Sequence, residues 1–186
     1  NIVINEINYN SLDSLFNPDD WIELYNPTDQ LIQIGYWVFK DEDDSHIFTI
    51  PDNTNLDSGE FIVLCKEASL FSNAFPNVSN YIGDFDFGLA GGGELLRLYN
   101  EAGDLIDSVE YDDNDPWPIE ADGDGPTLEL IDAMSDNSIA ENWAYSNGFG
   151  TPGVINSVSL LGDVNEDGIL NVLDVVLLVN IILSGD

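Results

Sequence analysis

Basic residues are almost missing from this chain: Lys40, Lys66 and Arg97 are the three that stand against 36 acids, for a formal net charge of −33. Binding to nucleic acid draws its affinity from lysines and arginines that displace counterions at several phosphates together. Three basic residues cannot do this, which excludes nucleic acid and anionic membrane surfaces as partners. Cysteine is scarcer still. Cys65 is the one cysteine and can close no internal disulfide, so pairing says nothing about redox compartment. Its place in the apolar run FIVLC is that of a small buried hydrophobe. The longest apolar stretch, Val175 to Val179 with Ile181 to Leu183 beyond Asn180, falls well short of the roughly 20 residues that a bilayer span needs, so no membrane insertion is expected. No signal-like segment opens the chain, which reads as a mature or trimmed product.

Catalytic signatures are also absent. The chain has no HExxH, GxSxG or P-loop and no Cys/His metal spacing. The single histidine, His46, lies in a strand-like run, and a His46–Cys65 nucleophile pair would need a contact that spacing does not establish. Paired carboxylates for glycoside hydrolysis carry no meaning among 36 acids. No enzyme activity is expected.

What the chain does contain is material for a core: 44% hydrophobic residues, including four Trp, seven Tyr and nine Phe. Trp21, Trp37, Trp117 and Trp143 fall in or beside strand-like runs, where tryptophan is normally core. Those runs are short, β-branched or aromatic, and separated by Asn, Asp, Gly and Pro. They cover residues 2–9, 20–26, 31–34, 36–40, 46–50, 60–65, 94–99, 105–111, 127–131 and 142–146. Their spacing predicts an all-β, antiparallel β-sandwich. Alternation within DWIELYN puts Trp21, Glu23 and Tyr25 on one side and Ile22 and Leu24 on the other, as for a half-buried strand. NEAGD (100–104) reads as a hairpin turn and AGGGE (90–94) as a turn or bulge opening a strand. One short helix is expected over 66–75, ended by Pro76, with Leu70, Ala74 and Phe75 toward an end of the sandwich. From Gly148 to Ser159 neither period is kept, so the domains read as a sandwich over 1–150, a linker over 151–161 and an appendage over 162–186.

The acids also attract cations, because every Asp cluster lowers the free energy of a nearby divalent ion. The sharpest cluster is at the C-terminal end, GDVNEDGILNVLDVVLLVNIIL. Counted from Asp163, side-chain oxygens stand at positions 1, 3, 5, 9 and 12 (Asp163, Asn165, Asp167, Asn171, Asp174), Gly168 is at 6, and the carbonyl of Ile169 is at 7. A calcium ion takes six or more oxygens, and a chain supplies them by turning at a Gly and entering a helix with its last ligand. DGDG (122–125) is a second candidate, through Asp122 and Asp124, against the ordinary use of Asp-Gly in turns. DEDD (41–44) and DDND (112–115) read as solvated loop charge. The helix after the loop is apolar on every side, apart from Asp174, Asn180 and Ser184, and an isolated helix of this length is marginal in water. It therefore needs a partner surface, which Val172, Leu173, Val176 and Leu177 would meet.

Two resemblances follow from these residues. The C-terminal stretch resembles one repeat of a type I dockerin, the calcium module that docks onto cohesin domains, a family in which position 12 is Asp as Asp174 is here. The segments VINEINYN, DWIELYNPTDQLIQIGYWVFKD, FTIPDNTNLDSGEFIVLCKE, GGGELLRLYNEAGDLIDSVEYDD, PWPIEADGDGPTLELID, ENWAYS and GTPG, in that order, resemble the bacterial form of the lamin tail domain, an immunoglobulin-like sandwich. The two together imply a secreted or cell-surface, non-catalytic module with Ca²⁺ as its cofactor. Its tail would dock to a cohesin-like protein or to a neighbouring copy of itself. The alternatives are a subunit of an extracellular filament or surface layer, built by packing the tail helix into the next sandwich, and an accessory domain of a secreted hydrolase.

Overall fold

The computed structural model describes residues 1–12, 16–160 and 172–184. In chain order its elements are β1 (Val3–Asn8), β2 (Trp21–Tyr25), β3 (Ile32–Gln33), β4 (Val38–Lys40), β5 (Phe48–Thr49), β6 (Asn55–Leu56), β7 (Phe61–Cys65), α1 (Ala68–Ala74), β8 (Tyr81–Ile82), β9 (Glu94–Tyr99), β10 (Leu105–Tyr111), β11 (Leu128–Leu130), β12 (Trp143–Tyr145) and α2 (Val172–Ser184). Each of the ten expected runs holds a strand. The two unexpected strands, β6 and β8, are two residues long, too short to show a period.

The strands form a mostly β, immunoglobulin-like sandwich. A six-stranded sheet in the order β12-β11-β1-β2-β7-β8 faces a four-stranded sheet in the order β10-β9-β4-β5, and β3 pairs with β6 separately. All pairs are antiparallel except β7 with β8. Between the large sheets lies one core, to which Ile4, Ile22, Leu24, Leu64 and Leu128 contribute from the first sheet and Phe39, Leu96, Leu98 and Val109 from the second. Trp37, Trp117 and Trp143 are buried in the same core, in line with the expectation for strand tryptophans. The turn after β9 closes as expected, with Gly103 at φ +85° donating its N–H to the Asn100 carbonyl over 2.9 Å. Among the described residues, no helix is long and apolar enough to cross a membrane.

Three expectations need correction. First, β2 is covered on both faces rather than half-buried: Trp21, Ile22, Glu23 and Leu24 are all inaccessible. Ile22 and Leu24 enter the main core, whereas Trp21 joins Val63, Cys65 and Phe71 in a second cluster on the outer side of the sheet. Second, α1 covers that outer side rather than an end of the sandwich. Its buried residue is Phe71, not the exposed Leu70, because Phe71 and Phe75 are one helical turn apart and their rings both meet Trp21 at 5.8 Å, edge on. Third, residues 151–158 do not hang free as a linker. They run across the outer side of the six-stranded sheet as a strap, with Pro152 and Asn156 buried. No repeating hydrophobic period marks this segment because it is held through polar contacts, described next.

Candidate functional site

β1 is irregular where it pairs with β2: the register shifts between Ile4 and Glu6. Such a bulge adds one residue to a strand and reverses the side on which later side chains emerge. Ile4 therefore faces the main core, and so does Ile7, three positions on. Glu6 is turned to the outer side. There it lies in register with Glu23 of β2 on one flank and Glu129 of β11 on the other. Three glutamates thus form a row across adjacent strands, all of them fully buried. Like charges directly opposite one another are normally destabilising in a sheet.

Donors converge on this row, mostly from the strap. Oε1 of Glu6 accepts from the Thr127 hydroxyl and from the Thr151 N–H at 3.0 Å, while Oε2 has no hydrogen-bond partner. Glu23 accepts from the Asn5 amide at 3.0 Å and from the Gly153 N–H. Glu129 accepts from the Thr151 hydroxyl at 2.6 Å, the Ser157 hydroxyl at 2.7 Å and the Val158 N–H at 3.1 Å. Asn156 is clamped beside the row, donating to the carbonyls of Asn5 and Leu130 at 2.9 Å each. Burial pushes the Glu6 carboxyl well above the usual range, and the charges of Glu23 and Glu129 push it further. Burial likewise lifts Glu23 to about 8, against the hydrogen bonds from Gly153 and Asn5. None of the three glutamates was singled out by the sequence. The signal was present as a Glu flanked by apolar residues in INEI, WIELY and LEL, but period 2 alone places Glu6 on the same side as Ile4.

Asp163, Asn165, Asp167, Ile169 and Asn171 fall outside the described residues. Asp174 is described: it sits in the first turn of α2 and is 1% exposed. A carboxylate there is favoured by the amide dipoles of the helix start. Around it Val172, Leu173, Val176 and Leu177 are exposed, and so are the apolar residues onward to Leu183, by 37–78% over the helix as a whole. Of the second candidate, Asp122 accepts from the Asn10 amide at 2.7 Å and Asp124 is exposed. Among the described residues, no group of three His, Cys, Asp or Glu side chains is placed to hold a metal ion.

The remaining residues of interest are engaged locally. His46 does not meet Cys65; its Nδ1 lies 2.6 Å from Asp41, which raises its pKa, and its ring stacks on Phe87. DEDD is not wholly solvated, because Asp41 is buried and its carbonyl takes the Arg97 guanidinium, which also donates to Asp44 at 3.0 Å. All three basic side chains make ion pairs within the chain: Lys40 and Arg97 with Asp44, and Lys66 with Asp19 and Asp20. The Cys65 thiol is buried and pushed up to about 12, first by burial and then by the Asp84 charge. A thiol that cannot ionise is a poor nucleophile. Cys65 is therefore expected to stay unmodified by a disulfide reagent at pH 8 in the folded protein and to react at once in denaturant. Rapid labelling of the native protein would contradict this burial.

No curated protein matches the chain. The family model described as Lamin Tail Domain matches residues 1–113, which reaches just past β10; β11, β12 and the strap complete the same sandwich beyond the matched residues.

Proposed function

Because the chain belongs to the lamin tail domain family, whose fold frames rather than dictates activity, we propose that it is a non-catalytic, secreted or cell-surface module. It docks to another protein through its C-terminal segment in a calcium-dependent way. The observation that carries this reading is α2: thirteen residues, apolar on all sides but for Asp174, Asn180 and Ser184, with the apolar side chains turned to solvent. Exposed apolar surface of this extent marks an interaction site. In the dockerin-like reading, Asp163, Asn165, Asp167, the Ile169 carbonyl, Asn171 and Asp174 hold Ca²⁺. The ion neutralises the carboxylates and orders the start of the helix that presents Val172, Leu173, Val176 and Leu177. The burial of Asp174 amid exposed neighbours supports its part in this. The partner is a cohesin-like protein with an apolar groove. Net charge speaks against a second copy, since two chains of −33 repel one another unless salt shortens the Debye length.

Calorimetric titration tests the site. The wild-type chain is expected to bind Ca²⁺ with Kd between about 10⁻³ and 10⁻⁷ M, and Asp163→Ala and Asp174→Ala to weaken it at least tenfold. Isotherms identical for all three proteins would sink the calcium reading. The filament reading is separated by sedimentation in calcium and in chelator: a docking module stays monomeric in both, whereas a filament subunit assembles in calcium.

A further inference from the structure

We infer that the segment from Gly150 to Val158 is a strap latched by the buried carboxyl row of Glu6, Glu23 and Glu129, closed on the acid side of neutrality and released from the sheet as Glu6 and Glu23 ionise. The geometry carries this. The three carboxyls are cross-strand neighbours in register, sealed from water, and they receive five of the strap's hydrogen bonds: two from Thr151 and one each from Gly153, Ser157 and Val158. Of the strap's apolar side chains Pro152 is buried, while Val154 and Ile155 are exposed. The row therefore holds both ends of the strap, at Thr151 to Gly153 and at Ser157 to Val158, and Asn156 pins the stretch between them through uncharged hydrogen bonds with Asn5 and Leu130.

Nothing of opposite charge faces the row. On the flanking strands the residue paired with Glu23 is Val63 and that paired with Glu129 is Ala144. From β1 come Asn5 and Asn8, from the turn before β11 comes Thr127, and the strap brings no titratable side chain at all. Lys40, Lys66 and Arg97 are engaged with Asp19, Asp20 and Asp44. Each glutamate thus faces only the other two. Oε2 of Glu6, buried and without a donor, is where a negative charge would be least tolerable, and a proton bound there removes it.

The direction follows from linkage. Glu23 titrates near 8 in the folded chain against about 4.5 when free. Between these values the folded form holds the extra proton, so the closed state is fully favoured below about 4.5 and loses that advantage as pH rises through 8. Ionisation then demands water, and water can reach the row only by lifting the strap. Release would also lengthen the tether to α2 by the strap's nine residues, up to about 30 Å of reach. That consequence rests on the docking reading above, whereas the latch and its test do not.

Hydrogen exchange on the full chain from pH 5 to 9.5 is the test, corrected for the intrinsic rise in rate. The amides of Thr151, Gly153 and Val158 are expected to lose at least tenfold in protection between pH 6 and 9 while those of β2 and β7 hold theirs. Glu23→Gln, which keeps the acceptor without the charge, should flatten the loss. Constant strap protection across the range, or a loss shared equally by β2 and β7, would overturn the latch. So would an unchanged midpoint in the Gln variant. If that variant does not fold, carbon-13 titration of the wild-type carboxyls decides: an apparent pKa above 7 for Glu23 supports the latch and one below 6 overturns it.

Discussion

Trp21→Ala is expected to lower the unfolding free energy by about 4 kcal/mol, read from urea melts as a shift in midpoint with little change in slope. Trp21 has no exposed surface and lies in β2, one of the two central strands of the six-stranded sheet, paired with Asn8 and Cys65. Its ring is the floor on which Phe71 and Phe75 rest, so truncation opens a cavity on the outer side and loosens α1 together with it. The indole N–H has no hydrogen-bond partner. Trp21→Phe should therefore cost much less, under about 1.5 kcal/mol, because it keeps an aromatic ring and removes a buried donor that satisfies nothing. Equal losses in both variants would mean that the ring edge, and not the aromatic floor, stabilises this side.

The second large effect is expected at Gly150→Ala, a change of one methyl group. Gly150 has φ +95°, a conformation that costs an L-residue about 1–3 kcal/mol. An added Cβ would stand 2.5 Å from Oε1 of Glu6 and 3.0 Å from Cγ2 of Thr127, neither of which has room to retreat within the buried row. Together these should cost about 3 kcal/mol or detach the strap outright. A thermal melt read alongside limited proteolysis separates the outcomes, since a detached strap is cut near Thr151 before the sandwich unfolds. Gly148→Ala is the control. It also has positive φ, at +71°, but its Cβ would meet nothing within 4 Å, so only the backbone term applies, about 1 kcal/mol. Strap sensitivity equal at both positions would point to backbone strain rather than to close approach against Glu6.

The contrast between those two glycines shows where reading the chain succeeds and where it stops. Strands are written in local alternation, and ten runs of apolar and β-branched residues became ten strands at nearly the expected bounds. The scarcity of basic residues was equally direct, and the structure uses all three in ion pairs with neighbouring aspartates. Leu70 was a harder case. On the helix alone it and Phe71 are adjacent candidates for burial, and only the position of Trp21 on β2 decides that Phe71 turns inward.

The carboxyl row lay beyond reach for a different reason. Parity along a strand is a local rule, and Asn5 breaks it: the extra residue at the bulge sends Glu6 to the side opposite Ile4. Pairing register then places Glu6 between residues 17 positions later and 123 positions later in the chain. No window of sequence contains that neighbourhood. The sequence by itself determined the sandwich, its acidity and the apolar tail helix, because each rests on composition or on a short period. Only the tertiary structure decided that three glutamates share one buried row under a strap, because burial of a charge depends on what long-range pairing brings to lie over it.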